Sequence, residues 1–267
     1  MGARIRASAM STVTVTIDAS IARVTLARPE VRNAFNAAMI AELRETFATL
    51  STDPRVRAIV LAGDGKAFCG GADVNWMRGA LDLGYDENLA DAERMSDMFR
   101  AIDRCEKPVI GRIHGAALGG GCGLTAVCDV AIASEEAIFG FTEVKLGIIP
   151  AVISPFVLAK IGISHARALF LTGERFNAQR ALRIGLVHEV VAIEALDAAV
   201  ARVLTELRGS GPQAVSAAKR LITDVASASY DDSRAITSSA IATRRASDEG
   251  QEGLRAFLER RPAEFAQ

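Results

Sequence analysis

The sequence predicts an α/β core followed by a helical C-terminal part. Through about residue 135, short β-branched runs alternate with helix-period segments, which is typical of buried parallel strands joined by helices. From about Ser154 onward the apolar periodicity is helical. Half of the 267 residues are hydrophobic, which suffices for one sizeable core or for one large domain with an appendage.

The elements of the core follow in chain order. Residues 13–17 and 22–26 alternate apolar and polar around a short polar turn, which predicts a β-hairpin. A helix should come next and end at Asp53-Pro54, because proline disfavours helical backbone in the residue before it. Its apolar face comprises Met39, Ile40, Leu43, Phe47 and Leu50. Strands are then predicted at residues 56–61, 109–113 and 130–133, with a short helix before the last.

The remaining helices are amphipathic and lie at residues 193–207, 212–225 and 233–258. We divide the chain into an α/β core at residues 12–200 and a helical region at residues 201–267.

Residues 1–11 should be a disordered extension. They contain two arginines but lack the apolar segment of a signal peptide.

The net charge of −1 gives no indication of a nucleic-acid partner or of binding to an anionic membrane surface. No apolar run approaches the roughly twenty residues that a membrane span requires. A local basic patch that binds a phosphorylated cofactor remains compatible with this net charge.

The four cysteines are widely spaced and form no Cys-x-x-Cys pair, which favours reduced thiols and a cytoplasmic protein. They are Cys69, Cys105, Cys122 and Cys128, and we interpret them as small apolar packing residues rather than as nucleophiles. The three histidines, His114, His165 and His188, are scattered without metal-ligand spacing, so no metal site is predicted.

Two glycine-rich segments and one carboxylate predict a functional site. Residues 66–73 read KAFCGGAD, residues 117–123 read ALGGGCG, and Glu143 lies in a third segment, residues 139–150. Glycines let the backbone approach a ligand closely, and paired backbone N–H groups can hold an oxyanion. A nearby carboxylate can move a proton. The combination predicts chemistry beside a thioester carbonyl, through an enolate.

The triple glycine at residues 119–121 has other interpretations when taken alone. It could be a tight turn with close strand–helix packing. A phosphate-binding loop is less favoured, because the run lacks both the Gly-Lys-Ser/Thr ending of a P-loop and the spacing of a dinucleotide-binding loop.

In this order and at this separation, the three segments resemble the enoyl-CoA hydratase/isomerase family, also called the crotonase family. The resemblance runs from Arg28-Pro29 through Asn33-Ala34 to Phe257. Residues 72–77 and 150–155 are similar to the bacterial branch that contains 3-methylglutaconyl-CoA hydratase. The resemblance implies a crotonase-like spiral of ββα turns, with C-terminal helices that form contacts in a homotrimer or a dimer of trimers.

The resemblance also implies roles for individual residues. The backbone N–H groups of Ala72 and Gly120 would form the oxyanion hole, and Glu143 would be the acid/base group beside the substrate. Asp73 should be a helix N-cap. Substrate contacts are implied for Arg32, Ala34, Gly70, Asp73, Val74, Asn75, Trp76, Gly119, Gly123, Phe257 and Arg260.

Some of these contacts have plain structural alternatives. Trp76 could equally pack in the core, and Arg260 could be an ordinary arginine at a helix C-terminus. Arg28, Arg32 and Lys66 are candidates for contacts with the CoA phosphates, although a solvated basic residue is the default. Residues 77–98 are expected to wall the acyl pocket and to be mobile.

Gly123 departs from the two-glutamate hydratases of the family, which carry a second glutamate at this position to hold the attacking water. Two reactions therefore stay open. One is hydration of a branched or carboxylated 2-enoyl-CoA, resembling 3-methylglutaconyl-CoA, with the water held by another group. The other is Δ3,Δ2-enoyl-CoA isomerisation with Glu143 as sole proton shuttle.

The resemblance to the methylglutaconyl branch favours hydration. A third hypothesis is a non-catalytic acyl-CoA-binding protein, against which the presence of Glu143 argues. In each case the partner is an acyl-CoA thioester. CoA arrives as part of the substrate, and no other cofactor is expected.

Overall fold

The computed structural model describes residues 11–266, and residues 3–4 as backbone only. The disordered extension predicted for residues 1–11 therefore lies mostly outside the described residues. Ala3–Arg4 form a short strand beside Thr16 and Ile17.

The chain alternates strands and helices through its first two thirds and is helical at its end. The strands among the described residues are β1 (Ala3–Arg4), β2 (Val13–Asp18), β3 (Ile21–Leu26), β4 (Ala58–Gly63), β5 (Val109–Ile113), β6 (Ala116–Leu118), β7 (Val130–Ser134), β8 (Ile138–Gly140), β9 (Arg175–Asn177) and β10 (Glu189–Val191). The α-helices are α1 (Ala37–Thr52), α2 (Val74–Gly79), α3 (Tyr85–Asp103), α4 (Gly120–Ala126), α5 (Ser154–Thr172), α6 (Ala178–Arg183), α7 (Leu196–Arg208), α8 (Pro212–Ser227), α9 (Tyr230–Ala246) and α10 (Asp248–Leu258).

The strands form two sheets. The larger has the order β1-β2-β3-β4-β5-β7-β10 and the smaller has the order β6-β8-β9. Pairing is antiparallel from β1 to β3 and parallel from β3 to β10. Two successive turns of chain, β5-β6-α4 and β7-β8-α5, each give one strand to each sheet and then a helix. This arrangement is the predicted spiral of ββα turns.

The hairpin and the first helix lie where the sequence predicts them. Ala19 and Ser20 have φ of 44° and 67° and form the tight turn between β2 and β3. Asn36 caps α1 by accepting a hydrogen bond from the Met39 N–H at 2.9 Å. The helix ends at Asp53, and its five predicted apolar residues are buried.

Both faces of the larger sheet are covered, as parallel strands require. One face packs on the main core, which includes α1, α3, α4 and α5. On the other face, Val60, Ile110 and Ile132 pack against Leu196 and Val200 of α7. The helix α7 crosses the predicted boundary at residue 200 and is part of the sheet's cover.

The structure differs from the sequence prediction in several places. β4 begins two residues later than the predicted run. β6, β8, β9 and β10, each three residues long, are not predicted, because so short a strand has no alternation to recognise. The helix predicted at residues 233–258 is divided at Ser247, which caps α10. α5 is interrupted at Gly162, whose φ is 70°.

No described helix combines the length and the hydrophobicity that a membrane span requires.

Candidate active site

A cavity of about 430 Å³ lies where the three predicted segments meet. Gly70 and Ala72 reach it from the first segment, Gly119 and Gly120 from the second, and Glu143 from the third. The fold thus brings together the first and second segments, which are about 50 residues apart along the chain, and the second and third, which are about 25 residues apart.

The two glycine turns run side by side because the backbone binds them directly. The Cys69 N–H donates to the Ala116 carbonyl at 2.9 Å, and the Leu118 N–H donates to the Cys69 carbonyl at 3.0 Å. A Cβ atom on Gly121 would lie 2.4 Å from the Cys69 carbonyl oxygen, so this approach requires glycine. Gly119 has φ of 51° and turns the chain from β6 into α4.

The N–H group of Ala72 faces away from its own neighbours. The Phe35 N–H donates to the Gly71 carbonyl at 2.7 Å, and the Asp73 N–H donates to the Phe35 carbonyl at 2.8 Å. The carbonyl of Gly71 and the N–H of Ala72 belong to one trans peptide unit and point in opposite directions. Because Phe35 holds the carbonyl, the N–H points the other way. Within the described residues it has no hydrogen-bond partner.

Gly120 opens α4, so its N–H precedes the hydrogen bonds of the helix. It too has no partner among residues 11–266. A Cβ atom here would lie 2.6 Å from Cε2 of Phe35, so a side chain is excluded on that face. The predicted donors, Ala72 and Gly120, thus both line one cavity, each with a free N–H.

The carboxyl group of Glu143 is half-buried beside the second glycine turn. Glu143 begins the 3₁₀ helix Glu143–Leu146, and its Oε1 would lie 3.2 Å from a Cβ atom on Gly119. Its Oε2 is buried and has no hydrogen-bond partner among the described residues. Burial raises the pKa of this carboxyl, and a backbone hydrogen bond offsets part of the rise. The raised pKa brings this carboxyl closer to neutral pH, which suits it to act as a general acid or base.

The rest of the cavity wall is largely apolar and comes from two stretches of chain. The first runs through α2 and α3 and includes Trp76 and Met95, so the predicted segment at residues 77–98 does wall the cavity. The second is the loop from Leu146 to Ile153. The polar side chains of the wall are those of Asn88, Asp91, Thr142 and Glu143. None of the described residues that line the cavity is Lys, Arg or His.

Gly123 lies behind the wall and does not line the cavity. A Cβ atom on Gly123 would lie 2.4 Å from Cγ2 of Ile153 and 2.9 Å from the ring of Phe99. The space in which a second carboxylate would begin is therefore filled by these two side chains.

Asp73 caps α2, as the sequence predicts. Its Oδ1 accepts hydrogen bonds from the N–H groups of Asn75 at 2.8 Å and Trp76 at 3.3 Å. Burial alone would raise the pKa of Asp73, but these bonds and the bond from Arg28 hold it below its ordinary value. Neither Asp73 nor Ala34 lines the cavity.

The other predicted contact residues lie outside the cavity. Arg32 is exposed and has φ of 55°. Val74 and Asn75 are exposed on the first turn of α2. Phe257 is 80% exposed near the end of α10, and Arg260 follows it on the surface. The structure does not bring these five to the cavity, so their contacts with CoA stay predictions.

The cysteines are free and buried, as predicted. Burial raises the pKa of Cys69 and Cys128 to about 12 and raises the pKa of Cys105 and Cys122. Thiols of this kind are protonated at neutral pH and are poor nucleophiles.

The histidines do not reach the cavity either. The His114 Nε2 lies 3.0 Å from the Gly65 carbonyl, and His188 Nδ1 accepts from the Ala131 N–H at 2.9 Å. His165 is exposed. Among the described side chains, no group of three His, Cys, Asp or Glu is placed to hold a metal ion.

Sequence reasoning missed Phe35, Phe99 and Ile153. Phe35 directly follows Asn33-Ala34, a pair matched to the family by sequence, and this position was a signal that could have been used. In the structure Phe35 forms a β-bridge with Ala72 of the first glycine turn. Phe99 and Ile153 have no local signal, because their role depends on packing against Gly123 from helix α3 and from the loop before α5.

Comparisons with known proteins agree with this geometry. The chain matches the family described as enoyl-CoA hydratase/isomerase over residues 16–267. It is 35% identical over 240 residues to a crotonyl-CoA hydratase of Syntrophomonas wolfei, covering 89% of this chain and 91% of the relative. A short-chain-enoyl-CoA hydratase of Clostridium acetobutylicum is 32% identical over 249 residues, covering 92% of this chain and 94% of that protein.

A solved structure extends the likeness to the fold. The crystal structure of an enoyl-CoA hydratase from Shewanella pealeana has a TM-score of 0.91 at 37% identity, and the match covers 95% of each chain. The two free N–H groups, the half-buried Glu143 carboxyl and the ββα spiral are thus accompanied by similarity over nearly the whole sequence, and the chain belongs to the enoyl-CoA hydratase/isomerase family.

Proposed function

We propose that this protein is a hydro-lyase that adds water to a 2-enoyl-CoA. The observation that carries the proposal is that two free backbone N–H groups, of Ala72 and Gly120, and the half-buried carboxyl of Glu143 line one cavity. The relatives from Syntrophomonas wolfei and Clostridium acetobutylicum, both named as hydratases of enoyl-CoA, support it.

The reaction follows from these groups. The thioester oxygen accepts hydrogen bonds from the N–H groups of Ala72 and Gly120, which draws electron density away from C3 of the substrate. Glu143, as the carboxylate, takes a proton from water while the water oxygen bonds to C3. The negative charge that develops on the thioester oxygen is stabilised by the two donors. Glu143 then returns the proton to C2, which completes the addition of water.

A single carboxyl suffices for both proton transfers in this scheme. A second carboxylate at residue 123 is not required, and Ile153 and Phe99 fill the space beside it. The scheme uses CoA only as part of the substrate and needs no metal or redox cofactor.

The acyl group is best matched by an uncharged, branched chain. The sequence resemblance allows a branched or a carboxylated acyl group, such as 3-methylglutaconyl. A carboxylated chain would place its charge against an apolar wall with no cationic side chain among the described lining residues. Asp91 of α3, which lines the cavity, is acidic and would repel such a charge; it is paired with Arg94.

A substrate panel tests the proposal. Crotonyl-CoA, 3-methylcrotonyl-CoA and 3-methylglutaconyl-CoA should be compared by loss of the enoyl-thioester absorbance, with ¹⁸O-water as the solvent. We expect label at C3 of a 3-hydroxyacyl-CoA, with the carboxylated substrate turned over most slowly. Failure of every 2-enoyl-CoA to take up label would reject the hydratase assignment.

The second candidate is a Δ3,Δ2-enoyl-CoA isomerase, and the observation that favours it is that residue 123 is glycine, with Ile153 and Phe99 filling the space where a second carboxylate would begin. It predicts that a 3-enoyl-CoA becomes a 2-enoyl-CoA without label and without gain of mass. A non-catalytic acyl-CoA-binding protein would instead bind each compound and leave it unchanged.

We also propose a homotrimer or a dimer of trimers in the cytoplasm. The assembly is supported by exposed apolar side chains on the C-terminal helices, among them Ile222 (72% exposed), Phe257 (80%) and Leu258 (78%). The location is supported by the four free cysteines.

A further inference from the structure

An ion pair between Arg28 and Asp73 lies beside the first glycine turn. The Arg28 Nη2 donates to Asp73 Oδ2 at 2.7 Å, and the two side chains are only 16% and 5% exposed. By contrast, the ion pair between Arg55 and Asp53 has the same length but leaves the arginine side chain 69% exposed. A buried pair orders both partners more strongly than a solvated one, because neither can exchange its partner for water.

Both side chains make further bonds to the backbone around Ala72. The Arg28 Nη1 donates to the Ala34 carbonyl at 2.7 Å, directly before Phe35. The other carboxylate oxygen of Asp73 caps α2, and the Asp73 N–H donates to the Phe35 carbonyl. Ala72 therefore lies between two fixed points, its isolated β-bridge with Phe35 and the ion-paired Asp73 next to it in the chain.

This arrangement sets the direction of one N–H group. The Ala72 N–H is oriented by the peptide unit that Phe35 holds, and Arg28 fixes the segment of Phe35 against the segment of Asp73. Without the ion pair, the two segments would still be joined by backbone bonds, but the angle between them would be free to relax. A hydrogen-bond donor displaced by about 1 Å can lower a rate on the order of 10²-fold.

We propose that Arg28 and Asp73 are positioning residues that keep the Ala72 N–H aimed at the substrate's thioester oxygen. The inference rests on the proposed function, since the direction of this N–H matters only if an acyl oxygen binds there. It assigns to Arg28 a role inside the protein, in place of the contact with CoA phosphate that its sequence position suggested.

The test compares three variants with a matched control. Arg28→Met removes both hydrogen bonds, Arg28→Lys keeps the charge, and Asp73→Asn keeps an oxygen for the helix cap but loses the carboxylate. Arg55→Met removes an exposed ion pair of equal length. For each, kcat and KM are measured on the best 2-enoyl-CoA, and the folded fraction is determined by circular dichroism.

A second readout separates positioning from stability. In a Glu143→Gln background, a bound 2-enoyl-CoA is consumed at least about 10²-fold more slowly, so its spectrum can be recorded before turnover, and its absorbance moves to longer wavelength as the oxyanion donors polarise the carbonyl. Only folded protein binds the substrate, so the wavelength shift of the bound 2-enoyl-CoA does not depend on the fraction of protein that is folded.

We expect Arg28→Met and Asp73→Asn to lower kcat on the order of 10²-fold, with KM within about threefold, and to reduce the wavelength shift. Arg28→Lys should recover part of both quantities, and Arg55→Met should match the parent. The inference is overturned if folded variants keep the parent's kcat and wavelength shift, or if kcat falls only with the folded fraction. Should Arg28→Met not fold, Arg28→Lys and Asp73→Asn decide by the same measurements. Absence of turnover in the parent would instead reject the proposed function.

Discussion

A single methyl group added at Gly120 should disable the active site while leaving the fold in place. A Cβ atom there would lie 2.6 Å from Cε2 and 2.9 Å from Cδ2 of Phe35, whereas ordinary contacts begin near 3.4 Å. Phe35 is fully buried and packs edge-on against Phe99, so it cannot swing away. The shortfall of about 0.8 Å must be met largely by movement of the turn that carries the Gly120 N–H.

The size of the effect follows from that displacement. Movement of a donor by about 1 Å can cost on the order of 10²-fold in rate, so we expect kcat of Gly120→Ala to fall by about that factor. Overpacking should also lower the free energy of unfolding by about 1–3 kcal/mol. Initial rates with 2-enoyl-CoA give the first quantity, and denaturant titration gives the second.

Two further variants identify the cause. Gly79→Ala is a matched control, because a Cβ atom on Gly79 meets nothing within 4 Å; its kcat should equal that of the parent. Phe35→Leu combined with Gly120→Ala should recover about tenfold in kcat, since the shorter side chain removes the contact. A folded Gly120→Ala protein with the parent's kcat would refute the reasoning, because the Gly120 N–H would then not need its present position.

The other expectations can be checked directly. Glu143→Gln should lower kcat at least about 10²-fold while binding of an acyl-CoA, measured by calorimetry, persists; a variant with most of its rate would exclude Glu143 as the base. Because burial raises the pKa of Glu143 above its ordinary 4.5, kcat/KM should rise with pH through that raised pKa and then level off. The same shift means that ionisation of Glu143 costs stability, a cost that is absent at acid pH and grows as pH rises from 4.5 through the folded pKa. Glu143→Gln cannot ionise and should lack this loss, so its free energy of unfolding should rise relative to that of the parent as pH rises. Gly123→Ala should lower the free energy of unfolding by about 1–3 kcal/mol, and Ile153→Ala in the same chain should offset the clash; equal stability of parent and Gly123→Ala would contradict the packing described. Sedimentation should give three or six times the 28.2 kDa chain mass, and a monomer at micromolar concentration would reject the assembly.

The parts of the fold that depend on local pattern were predictable. The hairpin of β2 and β3, the helix α1 and the strand β5 each carry their own periodicity and end at their own turn residues. β9 and β10 were not predictable, because three residues acquire strand geometry only by pairing with β8 and β7. The division between α9 and α10 depends on Gly250, where a Cβ atom would lie 1.9 Å from the Arg244 carbonyl oxygen.

The candidate site was predictable only in part. Ala72, Gly120 and Glu143 could be selected because three segments resemble one family in the same order, and the structure places all three at one cavity. Their convergence does not follow from composition or periodicity. The surroundings of Gly123 were beyond sequence reasoning, since Ile153 and Phe99 approach it from 30 and 24 residues away along the chain.

The proposed oxyanion donors, the N–H groups of Ala72 and Gly120, have a consequence for how this protein tolerates substitution. Both are main-chain groups, and no codon change short of proline deletes a peptide N–H. Mutational sensitivity should therefore be greatest at Arg28 and Asp73, whose side chains fix the peptide, and lower at Ala72 itself. The apolar wall of the cavity is supplied separately, by α2–α3 and by residues 146–153. Under the proposed function, we expect exchange of those two stretches between relatives to change the preferred acyl chain while Ala72, Gly120 and Glu143 keep their places.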